Sequence, residues 1–293
     1  MALVFAKTYE MATPPASAMH WDEYAQIVER EWHELLNSPE GQVEANIQAF
    51  LERHPCMVPG GQSMSGPSGH SCYPCALIAQ PKLPGFNSRI PDFMWVATDS
   101  GTTYAVVIEI EAPSKRWFRK DGQPTAAFTQ AQNQLTEWRM WFEKPRNQDA
   151  FLEHYCGPSY FHRRTFLPQY VLIFGRRAEF EGQDDLAAKR PRLQRSNEYY
   201  MTFDRLRPIK DHEQYMTVKF DGTRFRAVSM PPTIELGPSH AEYRLSITGK
   251  EDAVSLTPYV SDERKNFLKQ RFPYWDEWAR QGAKGMRQLG DRE

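Results

Sequence analysis

Arg89-Ile90-Pro91-Asp92-Phe93-Met94-Trp95 and Val106-Val107-Ile108-Glu109-Ile110-Glu111-Ala112-Pro113-Ser114-Lys115 are the stretches that decide how this 293-residue chain folds. They belong to two β-rich runs, Ile90 to Thr98 and Thr102 to Glu111, joined by Asp99-Ser100-Gly101, and that turn chemistry predicts a hairpin. Side chains alternate along a strand, so Val107, Glu109 and Glu111 share one face while Val106, Ile108 and Ile110 share the other. Glu109 and Glu111 then lie about 7 Å apart along one strand, and Asp92 on the neighbouring strand converges on them. Acids gathered beside an apolar strand repel one another and lose hydration unless a cation resolves the conflict. Oxygen donors of this kind suit Mg²⁺ or Mn²⁺. The plain alternative for Glu-x-Glu is the solvated face of an edge strand; the flanking sequence favours the metal site.

Outward from the hairpin, periodicity predicts two amphipathic helices before it. One carries Trp21, Tyr24, Ile27, Val28, Trp32, Leu35 and Leu36; the second carries Val43, Ile47, Phe50 and Leu51 and ends near His54-Pro55. Residues 1–19, without clear periodicity, read as a flexible or peripheral tail. Pro59 to Gly85, rich in Gly, Ser and Pro, reads as a long irregular connection around the short apolar piece Ala76 to Ala79. After the hairpin come a helix from Thr125 to Phe142, a shorter one from Asn147 to Tyr155, a strand from Gln169 to Phe174 closed by Gly175, a short helix from Asp184 to Arg190 and a short strand from Tyr199 to Phe203. Tyr215 to Phe220 and Arg224 to Val228 flank Asp221-Gly222 as a second hairpin, and Asp262 to Gln281 reads as a terminal helix broken at Pro273. This order fits an α/β layer architecture with a mixed sheet.

Composition narrows the function. Lys and Arg number 36 against 37 Asp and Glu, a formal net charge of −1, so any polyanion site must be a local patch. No apolar run approaches the roughly 20 residues that cross a bilayer, and the apolar start lacks the basic flank of a signal peptide. The four cysteines, Cys56, Cys72, Cys75 and Cys156, are too few for a disulfide scaffold and fit a reducing compartment. A cytoplasmic protein is the expectation. No Gly-x-Gly-x-x-Gly or Gly-Lys-Ser/Thr loop follows a strand, which disfavours nucleotide cofactors, and no Gly-x-Ser-x-Gly elbow offers acyl transfer.

The chain resembles the PD-(D/E)xK nuclease superfamily and, within it, the Shedu-type anti-phage defence nucleases. The family's acidic helix looks matched by Glu44 in Val43-Glu44-Ala45-Asn46-Ile47-Gln48-Ala49-Phe50-Leu51-Glu52-Arg53-His54-Pro55, its first strand acid by Asp92 and its second by Glu109. Gln130-Ala131-Gln132-Asn133-Gln134-Leu135-Thr136-Glu137-Trp138 resembles the superfamily's Gln-x-x-x-Tyr helix, with Trp138 where Tyr is usual. Tyr170-Val171-Leu172-Ile173-Phe174-Gly175-Arg176-Arg177 and Tyr200-Met201-Thr202-Phe203-Asp204-Arg205-Leu206 resemble two further strand motifs. The resemblance implies a restriction-endonuclease-like core at 40–210, preceded by a tail and helix at 1–39 and followed by an extension at 211–293. It further implies metal-dependent hydrolysis of DNA, Mg²⁺ or Mn²⁺ as cofactor, and a homo-oligomer, the tetramer being the family's form.

In that reading Asp92, Glu109, Glu111 and Glu44 are the metal residues, and Asp92, Glu109, Glu111, Lys115 and Gln134 the catalytic set. Where the superfamily motif ends in Lys this chain has Glu111, and the nearest cation is Lys115. Either Glu111 joins the metal site or acts as base, or Lys115 reaches in from the loop. Arg116, Arg119, Lys120, Arg176 and Arg177 are the expected phosphate contacts. The departure at Glu111 also admits a second reading, a non-catalytic nucleic-acid-binding or sensor module on a degenerate nuclease fold. His70-x-Cys72-x-x-Cys75, with His54 and Cys56 upstream, has spacing that zinc uses, but it is half a signature and reads better as reduced cysteine in a loop.

Overall fold

The computed structural model describes residues 7–62, 69–85, 90–157, 159–282, 285 and 290–293. Two helices, α1 (Trp21–Leu36) and α2 (Glu44–Arg53), precede the strands β1 (His70–Ala79), β2 (Phe93–Thr98) and β3 (Thr102–Ile110). Then follow α3 (Ala126–Phe142), α4 (Pro145–Tyr155), β4 (Thr165–Ile173), α5 (Asp184–Lys189) and β5 (Glu198–Met201). The last part holds β6 (Met216–Phe220), β7 (Phe225–Ser229), α6 (Pro238–Arg244), β8 (Ile247–Thr248), α7 (Lys250–Leu256) and α8 (Asp262–Arg280). The strands form one eight-stranded mixed sheet in the order β5-β4-β3-β2-β1-β6-β7-β8.

The β2–β3 hairpin sets the geometry. Asp99 Oδ1 accepts from the N–H groups of Gly101 and Thr102 at 2.8 and 2.7 Å, which closes the turn. The register that follows pairs Phe93 with Ile108 and Thr98 with Thr103. β3 is buried on both faces from Ala105 to Ile110, as a central strand must be, and pairs parallel with β4 along its length. Alternation sorts the core into two layers. Met94, Val96, Ala105 and Val107 pack toward α3, α4 and α8, while Phe93, Trp95, Val106, Ile108 and Ile110 pack toward α1 and α2.

Local signals account for the helices that matter to the site. Buried Tyr24, Val28, Trp32 and Leu36 recur every four residues along α1. Thr125 caps α3 by accepting from Phe128 N at 3.1 Å, and Phe128, Ala131, Leu135 and Trp138 form its buried stripe.

Three expectations are corrected. The stretch from Pro59 to Gly85 contains β1, a ten-residue central strand, rather than a long irregular connection. Its pairing with β2 shifts register around Tyr73 and between Tyr73 and Ile78, and this irregularity admits Pro74 within a strand. The terminal helix is not broken: α8 runs through Pro273, because Leu268, Phe272, Trp275 and Trp278 bury one continuous stripe on both sides of it. The described part of the first nineteen residues is not a loose tail, since Tyr9 is buried with its ring 5.6 Å from Trp275 and 5.7 Å from Trp278. Strands β6 to β8 extend the same sheet through the parallel pairing of β6 with β1.

The edge strand β5 carries a buried acid. Glu198 is 1% exposed, accepts from Arg139 of α3 at 2.7 Å and from the Arg195 N–H at 3.2 Å, and is also bonded by the Tyr200 hydroxyl. Arg139→Met leaves that carboxylate without its cation, and the expected loss of stability is about 3 kcal/mol, read as a lower urea midpoint with unchanged slope.

Candidate functional site

Asp92 immediately precedes β2 and, by the register of Phe93 with Ile108, stands opposite Glu109. Its Oδ2 accepts from the Ile110 N–H at 2.8 Å, which fixes the side chain against the end of β3. Asp92 and Glu109 share a hydrogen bond on the same side of the sheet. Glu109 is 5% exposed and Glu111 is 8% exposed. Just past the end of β3, Glu111 donates its N–H to Ile173 O of β4 at 3.1 Å, so the sheet still holds it. Glu44, in the first turn of α2, comes from the other layer and is hydrogen-bonded to Glu111. The four acids predicted from sequence are therefore brought together.

Their electrostatics follow from this crowding. Burial, then the charges of Glu44 and Glu111, push Asp92 up to about 7, although the Ile110 N–H and Glu109 act the other way. Burial, then Asp92 and Glu111, hold Glu109 well above the usual carboxylate range. Glu44 is raised by burial and by Glu111, and lowered by Lys115. Burial and mutual repulsion both favour the protonated form of the Asp92–Glu109 pair. Glu109 Oε2 is buried without a hydrogen-bond partner.

Lys115 is the cation of the cluster. Its Nζ bonds Glu111 and lies 4.0 Å from Glu44 Oε2. Gly175 makes this approach possible. It has φ +63°, and a Cβ there would come within 2.7 Å of the Lys115 carbonyl oxygen. Lys115 thus spans Glu111 and Glu44. Among the described residues no three His, Cys, Asp or Glu side chains are clustered tightly enough to hold an ion as they stand. Gln134 lies on α3 with Oε1 buried and unpartnered, and no hydrogen bond joins it to the acids.

A basic cleft of about 630 Å³ adjoins the acids, lined by Lys115, Arg116, Arg119, Lys120 and Arg176 with Glu179 and Glu181. Lys115 belongs to both. Glu179 braces the cleft wall by accepting from the N–H groups of Trp117 and Phe118, each at 2.9 Å, and lies 3.8 Å from Arg116. Arg119 pairs with Asp121 at 2.9 Å on the open surface. The guanidinium of Arg176 is committed to the fold. It donates to Asp204 at 2.9 Å, to Leu36 O at 2.6 Å and to Asn37 at 3.3 Å, tying β4 to the end of α1. Arg177 is exposed and stands outside the cleft lining.

The cysteines behave as core. All four are free and buried, and burial pushes the Cys56 and Cys75 thiols up to about 12. His70 is exposed at the start of β1. Buried thiols held protonated are poor zinc ligands.

Fold and site together define an α/β protein with a buried acid cluster joined through Lys115 to a basic cleft. The sequence profile described as Shedu protein SduA, C-terminal, matches residues 41–206, over half of the chain. The chain belongs to this family. No curated protein and no solved structure matches it. No described helix is long and apolar enough to cross a membrane.

The raised carboxylates give a signed pH dependence. Each binds its proton more tightly in the folded chain than in the unfolded one, so their contribution to stability is fully present below about pH 4. It is lost as pH rises through about 7 for Asp92. In EDTA-containing buffer the melting temperature should fall between pH 5 and pH 8, and the fall should shrink in Asp92→Asn and Glu109→Gln. Equal pH profiles for wild type and both variants would contradict the raised carboxylates.

Proposed function

We propose that this chain is a divalent-metal-dependent endonuclease with a PD-(D/E)xK-type core, hydrolysing phosphodiester bonds of DNA in anti-phage defence. The observation that carries the reading is the buried Asp92–Glu109 pair, packed beside Glu111 and Glu44 and linked through Lys115 to a cleft lined by five cationic side chains. Membership of the Shedu family supports the defence role.

The residues fit a hard divalent cation. All donors are carboxylate oxygens, Glu109 Oε2 is buried without a partner, and the mutual repulsion that raises the pair would be relieved by positive charge. Asp92 and Glu109 would hold the ion, with Glu111 and Glu44 as further candidates. When bound, Mg²⁺ or Mn²⁺ would supply Lewis-acid polarisation of the phosphate and a more acidic water.

The chain's own residues do the rest. Lys115 places positive charge beside Glu111 and Glu44, where negative charge grows on a phosphate under attack. Its contact with the acids supports Lys115, rather than a residue within the strand, as the counterpart of the motif's lysine. Glu111, held by Lys115, is positioned to take a proton from the attacking water. The unpartnered Oε1 of Gln134 supports an orienting role for that side chain. Arg116, Arg119 and Lys120 grip flanking phosphates and set the backbone in register. In the same reading the enzyme works in the cytoplasm as a homo-oligomer. The Lys115–Glu111 ion pair favours a second reading, a non-catalytic DNA-binding module, since it neutralises the very group that departs from the motif.

Plasmid incubated with the purified protein separates the two. Cleavage should require Mg²⁺ or Mn²⁺ and stop in EDTA. Asp92→Ala and Glu109→Gln should abolish it while melting as cooperatively as wild type, and Lys115→Ala should slow it roughly 100-fold or more. DNA binding without cleavage in either metal would select the non-catalytic module. Metal-stimulated cleavage by both acid variants would end the assignment.

A further inference from the structure

Beyond the cleft, three arginines from separate segments meet around one turn. The 3-10 turn Arg177–Phe180 gives Ala178 and Glu179 to the cleft lining, while Arg177 and Phe180 look to another cluster. There Arg190, at the end of α5, lies with Cζ 4.9 Å from the Phe180 ring and 5.9 Å from that of Trp117. Ring faces hold a guanidinium in place without cancelling its charge. The third member, Arg205, is exposed and follows Asp204 in the turn Phe203–Arg205.

Asp204 is the carboxylate of that turn, and both of its oxygens are spent. Oδ1 accepts from Arg176 Nε at 2.9 Å, and Oδ2 accepts from the Arg177 backbone N–H at 2.6 Å. The Arg177 guanidinium reaches only the Asp204 carbonyl, at 3.5 Å. Among the described residues none of Arg177, Arg190 and Arg205 is in an ion pair with a carboxylate. Burial first, then the charges of Arg205 and Arg177, lower the pKa of Arg190, so both lie within electrostatic reach of it. Guanidinium groups gathered around one turn with no carboxylate paired to them are arranged for an oxyanion.

We propose that Arg177, Arg190 and Arg205 form a phosphate seat that takes a backbone phosphate of the polynucleotide beyond the basic cleft. This rests on the reading of the chain as a nucleic-acid enzyme. It replaces Arg176 by Arg190 and Arg205 as the partners of Arg177. The seat and the cleft flank one turn, so a strand lying in the cleft has the seat beside it.

The test is fluorescence anisotropy of a labelled DNA duplex with the full chain in EDTA, over a series of salt concentrations. Arg177→Gln and Arg205→Gln should each weaken binding roughly 3- to 10-fold and flatten the slope of log K against log salt by about 0.9. Arg190→Lys should keep most of the slope, whereas Arg190→Gln should lose it. Melting curves show whether loss of the ring contacts has unfolded Arg190→Gln, and the two exposed positions decide the matter if it has. Unchanged affinity and slope in the Arg177→Gln/Arg205→Gln double variant, with wild type binding DNA, would overturn the seat alone. No DNA binding by wild type would overturn the functional reading, and the seat with it. Calorimetry with inorganic phosphate separates the sources. Tight phosphate binding lost in the double variant, with the DNA slope intact, would assign the cluster to a free oxyanion and overturn the proposal.

Discussion

Two carboxylates held in hydrogen-bond contact inside the protein are the constraint around which the central sheet is arranged. Burying one charged carboxylate is costly, and burying two side by side is tolerated only if a proton or a cation intervenes. The β2–β3 register leaves little choice. With Phe93 opposite Ile108, Asp92 must face Glu109, and the Ile110 N–H locks the aspartate in that place. A slip of one residue would carry Glu109 into the apolar layer under α1 and α2. The tight Asp99 turn and the continuous parallel pairing of β3 with β4 both oppose such a slip.

The basic side is organised differently. Its cations sit on loops and short turns, and buried acids hold those loops in shape. Glu179, an apparent counter-charge in the sequence, uses both oxygens on the backbone of Trp117 and Phe118. Asp204 does the same for the segment after Gly175, taking Arg176 on one oxygen and the Arg177 N–H on the other. Each of these two acids fixes a cationic loop through backbone N–H groups, and Arg177 beyond Asp204 keeps its charge unpaired among the described residues. A chain with a net charge of −1 can in this way present a local positive surface.

What could be read from sequence follows from what is local. The helices α1 to α4, the β2–β3 hairpin and β4 declare themselves by periodicity and turn chemistry, and Asp92, Glu109 and Glu111 are placed by alternation along a single hairpin. Glu44 is legible only through family resemblance, because it reaches the cluster from a helix of the other layer. β1 is hidden because Gly, Ser and Pro mark a loop unless the partners β2 and β6 impose a strand. Pro273 and Tyr9 mislead for one reason: tertiary burial against the aromatic stripe of α8 outweighs the local signal. Arg176 reads as a phosphate contact because sequence reports its charge but not that Asp204, Leu36 and Asn37 already occupy it. Arg190 and Arg205 lie too far apart in the chain for spacing to connect them.

In the proposed nuclease reading, Lys115 is the motif's lysine moved from strand to loop. The superfamily motif asks for a cation two residues after the second acid, on the strand, and here that place holds Glu111. What the proposed chemistry needs is a positive charge near the acids; the covalent path to it is secondary. Glu111 stays aligned with the sheet through Ile173, after which the chain turns at Pro113 and returns, with the Lys115 carbonyl resting against the Cα of Gly175. From there a flexible four-carbon side chain brings its ammonium back to Glu111 and Glu44. Gly175 is thereby tied to the site although it carries no chemistry, since a methyl group there would push the 113–117 loop, and Lys115 with it, away from the acids. On the proposed reading, a strand lysine would need no such support, whereas a loop lysine places the constraint on one glycine.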